Sequence, residues 1–272
     1  MIYFLLAISL VLVILLSFAI SGLWAKYANT KMIAIFLFPG IVVHELSHAL
    51  LCLATGTTIK ELNLFSSNGG GIKYDKPKVS GVFDFIITSA PIFGCAFFIF
   101  FIPKILSNPI HFSNTFPSES HATLSGFFAL IQHLYDAVLA NLDTFRNQFQ
   151  IKNIHHSIFL LAIIIFAVSI APQKQDIKYL IIGFGILSGI FFCLEKFGIH
   201  LAQNTWWNFC LKELWVITAL TISVLIPLLL ITLIIMGFGK GYALTFGRKG
   251  SGKGAGKGTN KNTRSASKHD TR

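Results

Sequence analysis

With 272 residues, 54% of them hydrophobic and only 12% charged, the chain falls outside ordinary soluble domains, in which roughly 25% of residues are charged. Its apolar residues, including 27 phenylalanines, come in long runs, and its net charge of +11 owes most to a basic C-terminal stretch. Composition therefore points to a protein of the membrane.

A segment that crosses the hydrocarbon core needs about 20 apolar residues, and six runs are candidates. Ile2–Trp24 is the first. It is too long for a typical signal peptide and no basic residue precedes it, so it reads as a retained helix. Met32–Ala54 is the second and contains FPGIVVHELSHALLCLATG. The stretch TTIKELNLFSSNGGGIKYDKPKVS follows, where Gly69, Gly70 and Gly71 permit a sharp turn between short alternating segments. It reads as a small β-hairpin or as a polar loop. Gly81–Ile102 is the third run, with Asp84 near its start.

Residues 103–154 form the longest linker. Its first part, NPIHFSNTFPSESHATLSG, is loop-like. Its second, FFALIQHLYDAVLANLDTF, places Phe127, Leu130, Leu134 and Val138 on one face. His133, Asp136, Asn141 and Asp143 make it a poor span, and an interfacial amphipathic helix is expected. Ser157–Ala171, extended by Lys152–His156, is the fourth run and Tyr179–Leu194 the fifth. Only Pro172–Lys178 separates them, which predicts a helical hairpin. Leu214–Phe238 is the sixth, preceded by Trp206 and Trp207 as an aromatic belt. The fold expected is all-α and polytopic, with about six transmembrane helices, a small β-hairpin after the second and an interfacial amphipathic helix.

From Gly239 onward there are nine Lys or Arg, one Asp and no apolar run, so residues 239–272 are expected to be a disordered basic tail behind a membrane domain of residues 1–238. GSGKGAGKGT fails phosphate-loop spacing because Gly258 follows Gly256-Lys257 where Ser or Thr is required. The tail is a solvated basic segment, suited to anionic lipid headgroups, with nothing to suggest specific nucleic-acid binding. Lys and Arg favour the cytoplasmic side, which puts the tail there in a cytoplasmic (plasma) membrane. Cys52, Cys95, Cys193 and Cys210 form no CxxC pair and read as hydrophobic fillers.

Within the second run, His44-Glu45-Leu46-Ser47-His48 is an HExxH motif. On a helix His44 and His48 stand one turn apart on one face, placed to share a metal ion, while Glu45 borders that face as a base. Ionisable residues inside a membrane segment mark a functional site by default, and no Lys or Arg occurs from Met32 to Thr58. The alternative is a polar contact between helices.

FPGIVVHELSHALLCLATG resembles the metal-binding helix of the site-2 protease family, membrane-embedded zinc metalloproteases, and IKELNLF…GGGIKY is similar to the glycine-bearing hairpin that follows it. The resemblance, to a divergent prokaryotic-type member, covers residues 32–102 well and 155–200 by hydropathy. It implies Zn2+, peptide-bond cleavage within the membrane and a third metal ligand on a later helix, usually an aspartate in a Leu-Asp-Gly type motif. This chain has no such motif. Leu142-Asp143-Thr144 imitates it in the amphipathic helix. Asp176 is the better candidate, because Pro172 interrupts two apolar helices beside it and Pro172-Gln173-Lys174-Gln175-Asp176 matches a Pro-x-x-x-Asp pattern of similar membrane proteins. An ordinary helix cap is the other reading of Asp176. Glu61, Asp75, Asp84, Glu119, Asp136, Glu195, Glu213 and Asp270 complete the acidic set. His111, His121, His133, His155, His156 and His200 read as solvated or interfacial.

The function expected is therefore zinc-dependent intramembrane endopeptidase, with His44, His48 and Asp176 on the metal and Glu45 moving protons. Its partners would be a transmembrane or membrane-proximal peptide and the bilayer. The alternative is a non-catalytic metal-binding or transport-associated membrane protein.

Overall fold

The structure, a computed structural model, describes residues 2–27, 29–64, 70–75, 81–106, 110, 112, 116, 124–173, 176–198, 201 and 204–246. In chain order these form α1 (Ile2–Tyr27), α2 (Thr30–Phe36), α3 (Phe38–Ala54), β1 (Ile59–Asn63), β2 (Gly71–Tyr74), α4 (Val82–Ile105), α5 (Leu124–Gln148), α6 (Ile154–Ser169), α7 (Asp176–Lys196) and α8 (Thr205–Phe246). Gly69, His111, Glu119, His121, His200, Asp270 and the tail from Gly247 lie outside the described residues.

The expected six spans are not all found among the described residues. Among the described residues, four helices are long and apolar enough to cross a membrane: α1, α4, α7 and the Thr205–Gly237 part of α8. A fifth crossing results if α2 and α3 form one span, although they are bent by 75°. The expected run Met32–Ala54 breaks at Leu37, which ends α2 and begins α3. Pro39 lies in the first turn of α3, where it has no N–H to continue the ladder of α2 and fits a helix start instead. The expected fourth span is α6, whose 16 residues fall short of the crossing length.

The predicted helical hairpin is also corrected. α6 and α7 are not packed on each other, and each lies against α1 and α4. α3 and α7 likewise fail to pack side by side, while α4 contacts both. The large core joins α1, α4, α5, α6, α7 and α8, with Leu5, Ile14, Phe159, Ile163 and Trp215 fully buried. Ser17 on α1 donates to the Ala167 carbonyl of α6 at 2.7 Å, which satisfies a hydroxyl that lipid would leave bare.

Apolar helices gain little from one another in lipid, so close packing of small residues has to hold them. A Cβ on Gly40 of α3 would sit 2.7 Å from Ser169 Cβ and 2.9 Å from the Ile165 carbonyl of α6. A Cβ on Gly94 of α4 would sit 3.0 Å from Ser47 Cβ of α3. At these two points α6 and α4 approach α3 as closely as backbone allows.

The expected amphipathic helix is α5. It buries Leu130, Leu134 and Val138 of the predicted stripe, together with Ala137. Asn141, also buried, donates to Ser223 Oγ of α8 at 3.2 Å. β1 and β2 form the predicted hairpin as a two-stranded antiparallel sheet, pairing Ile59 with Tyr74 and Leu62 with Ile72, with a bulge between Ile59 and Glu61. Ile72 packs with Ala49, Cys52 and Ile87, which seats the hairpin on α3 and α4. The ion pairs Lys60–Asp75 at 2.5 Å and Lys73–Glu61 at 2.6 Å bridge its exposed side.

By internal contacts the chain divides into residues 1–233 and 234–272. The site lies wholly in the first unit. In the second, the described residues 234–246 continue α8 past the expected end at Phe238.

Candidate metal centre

α3 turns the usual amphipathic pattern inside out. His44, Glu45, His48, Ala49 and Cys52 are buried, while Leu46, Leu50 and Leu53 are 47%, 67% and 70% exposed. A helix with lipid as its solvent is expected to point its apolar side chains outward and its polar ones at protein. The helix stops cleanly. Thr57 N–H donates to the Cys52 carbonyl at 2.8 Å and Gly56 N–H to the Leu53 carbonyl at 3.1 Å, with Gly56 at φ 66°. This is a Schellman ending, and glycine adopts its left-handed residue without a Cβ penalty. It turns the chain directly into β1.

The two imidazole rings lie edge to face, with centroids 5.0 Å apart and planes inclined by 66°. His44 Nδ1 donates to the carbonyl of Ser169, the last residue of α6, at 2.6 Å. His48 Nδ1 donates to the Ile87 carbonyl of α4 at 2.8 Å. A carbonyl oxygen only accepts, so each Nδ1 carries the proton. In the neutral rings Nε2 is then left with its lone pair, the tautomer that metal-ligating histidines hold through a bond of this kind. Glu45 Oε2 is enclosed and has no hydrogen-bond partner among the described residues. An orphaned carboxylate oxygen beside two anchored imidazoles fits a divalent cation with a bound water, because an unpartnered buried acceptor is otherwise costly.

The third protein ligand is not assembled. Among the described residues no three His, Cys, Asp or Glu side chains lie together closely enough to hold a metal ion. Asp176, the first residue of α7, is buried and close enough to Glu45 to interact with it electrostatically. Its carboxylate accepts a hydrogen bond from the Gln173 backbone N–H, a capping contact. Tyr74 of β2 also senses Asp176. Burial first, and then that carboxylate, pushes the Tyr74 phenol up to about 12, which keeps it an O–H donor near the site.

The remaining acidic candidates are elsewhere. Asp84 accepts from the Gly81 N–H at 2.9 Å and caps α4. Asp143 is exposed and bonds Asn147, and Asp136 is exposed and bonds Gln132. Glu61 and Asp75 are occupied by the hairpin lysines. His133 and His155 are exposed. His156 departs from expectation: it is buried, and its Nδ1 accepts from the Gln150 backbone N–H at 3.0 Å. It closes the turn before α6, a role that leaves no sequence signature. The four cysteines are free thiols, two of them buried.

A cavity of about 290 Å³ opens onto His44 and Glu45, and Ile41, Gly70, Ser169 and Pro172 also line it. Pro172 thus borders the site, as its position at the broken junction predicted. Gly70 brings backbone right up to the base. A Cβ there would lie 2.8 Å from Glu45 Cγ and 2.7 Å from Ile41 Cγ2. Sequence reasoning took this glycine for turn geometry alone. It missed the Ser169 and Ile87 carbonyls altogether, because any residue type supplies one.

A family model described as Peptidase M50B-like matches residues 5–203. No curated protein and no solved structure matches the chain.

Proposed function

From the premise that this chain belongs to the Peptidase M50B-like family, a peptidase family whose long apolar helices mark it as a membrane protein, we propose that it is a zinc-dependent intramembrane endopeptidase. The observation that carries the reading is the pair of imidazoles anchored through Nδ1 beside the Glu45 carboxylate, whose Oε2 has no hydrogen-bond partner among the described residues. His44 and His48 would hold the metal, and Asp176 is the residue we assign as its third ligand. Zinc in such a site acidifies water and polarises a carbonyl. Glu45 takes the proton of the attacking water and returns it to the leaving amine. The Ser169 and Ile87 carbonyls keep both rings in the productive tautomer throughout.

The substrate we assign is a transmembrane or membrane-proximal segment that unwinds to enter the cavity. The two-stranded hairpin has free edges on which an extended peptide can add as a strand. Gly70 then delivers that strand's end to Glu45. We place the protein in the cytoplasmic membrane with its basic tail on the cytoplasmic side, where Lys and Arg accumulate.

The test is Glu45→Gln in purified full-length protein, with metal content and cleavage of an unfolded model substrate such as β-casein measured together. Retained zinc with cleavage reduced about 10²–10⁴-fold supports the assignment. Loss of zinc along with activity would show that Glu45 is a ligand and not the base. The second reading is a non-catalytic metal-binding membrane protein. Zinc binding with no cleavage in the wild type would select it.

A further inference from the structure

Away from the metal centre, α5, α6 and α8 enclose a second groove of about 360 Å³, within the roughly 300–1,000 Å³ of sites that take small ligands. Leu142, Phe149, Leu160, Ile164 and Leu228 make its wall apolar, and Arg146 stands at it. Ser223 also lines it, but its hydroxyl already donates to the Ala219 carbonyl at 2.7 Å and accepts from Asn141. Arg146 is exposed, in the last turn of α5. No acidic partner is found for it among the described residues, whose ion pairs are Lys60–Asp75 and Lys73–Glu61. The groove therefore offers an apolar wall and one guanidinium without an ion-pair partner among the described residues.

We propose that this groove holds an anionic phospholipid of the bilayer, its acyl chain against Leu142, Leu160, Ile164 and Leu228 and its phosphate on Arg146. Charge complementarity selects the occupant. An apolar peptide would leave the guanidinium unanswered, while a phosphate takes two of its N–H donors in parallel. The amphipathic character of α5 agrees, since a helix of that kind lies where headgroups and chains meet. The groove shares no lining residue with the cavity at the metal centre.

Native mass spectrometry of the full-length protein in detergent tests this, with phosphatidylglycerol and phosphatidylcholine of identical acyl chains as probes. Wild-type protein should retain phosphatidylglycerol over phosphatidylcholine by roughly fivefold, the effect of one basic side chain at an anionic surface. Arg146→Gln should lower that preference to what the basic tail alone gives, and Lys152→Gln, a neighbouring basic residue outside the groove, should leave it at the wild-type level. Leu160→Trp should lower retention of both lipids, with Leu160→Phe as the substitute if circular dichroism shows that the Trp variant does not fold. Equal retention of both lipids by the wild type, a preference unchanged by Arg146→Gln, or uptake indifferent to filling the groove would overturn the proposal.

Discussion

α3 and α5 carry much the same chemistry and use it in opposite ways. α5 displays His133, Asp136 and Asp143 on an exposed face, where Asp136 and Asp143 are satisfied by side chains four residues away. α3 buries His44, Glu45 and His48, and the bonds of its histidines come from carbonyls 125 and 39 residues distant in sequence. Short-range partners leave a side chain free to move with solvent. Long-range backbone partners fix a ring's tautomer and direction, which a metal site requires. The difference teaches that the type and spacing of ionisable residues nominate a site, while burial and the origin of their hydrogen bonds decide it.

The strongest attempt to break this comparison sets aspartates from both settings side by side. Asp176→Ala should lose both zinc and cleavage, whereas Asp143→Ala should retain full zinc occupancy by elemental analysis. Asp84→Ala should also retain zinc and lower stability by only about 1 kcal/mol, the usual weight of a helix cap. Zinc retained in Asp176→Ala would remove that residue from the metal and strengthen the non-catalytic reading.

Gly40→Ala addresses the anchoring itself. Its Cβ would drive against Ser169 and the Ile165 carbonyl, and so displace the acceptor of His44. Zinc affinity should fall about 10–100-fold, the effect of disturbing an outer-shell partner, as read by competition with a chelating dye. Unchanged affinity would mean that the Ser169 carbonyl does not orient the ring. Gly70→Ala should press on Glu45 and Ile41 and spare the metal ligands. Zinc should stay, and cleavage should drop about tenfold as Glu45 is pushed from its place, since small misplacements at a reacting centre are costly. The smallest effect belongs to the tail. A stop codon at Arg248 should leave cleavage unchanged, and a folded but inactive truncate would contradict the separation of tail from catalytic unit.

Much of this arrangement was legible in the sequence because helical spacing is local. The HExxH pair, the inward stripe of α5 and the hairpin around the glycines follow from periods of 3.6 and 2. The break at Leu37 was hidden because hydropathy averages across it, although Pro39 was its visible cause. The predicted α6–α7 hairpin failed because a short connection does not oblige two helices to touch when α1 and α4 offer better surfaces. The carbonyls of Ser169 and Ile87 and the capping role of His156 were beyond reach, since backbone partners are set by tertiary packing and are indifferent to residue type. Asp176 was found through the proline beside it, a signal that marks a broken helix and says nothing of which way a carboxylate points.

The central claim is that the buried histidines of α3 hold a metal and their exposed counterpart on α5 does not. Elemental analysis of purified, folded protein tests it most directly. The account predicts about one zinc per chain in the wild type and in His133→Ala, and none in His44→Ala. A folded wild-type protein without zinc, or a His44→Ala variant that keeps it, would contradict the account.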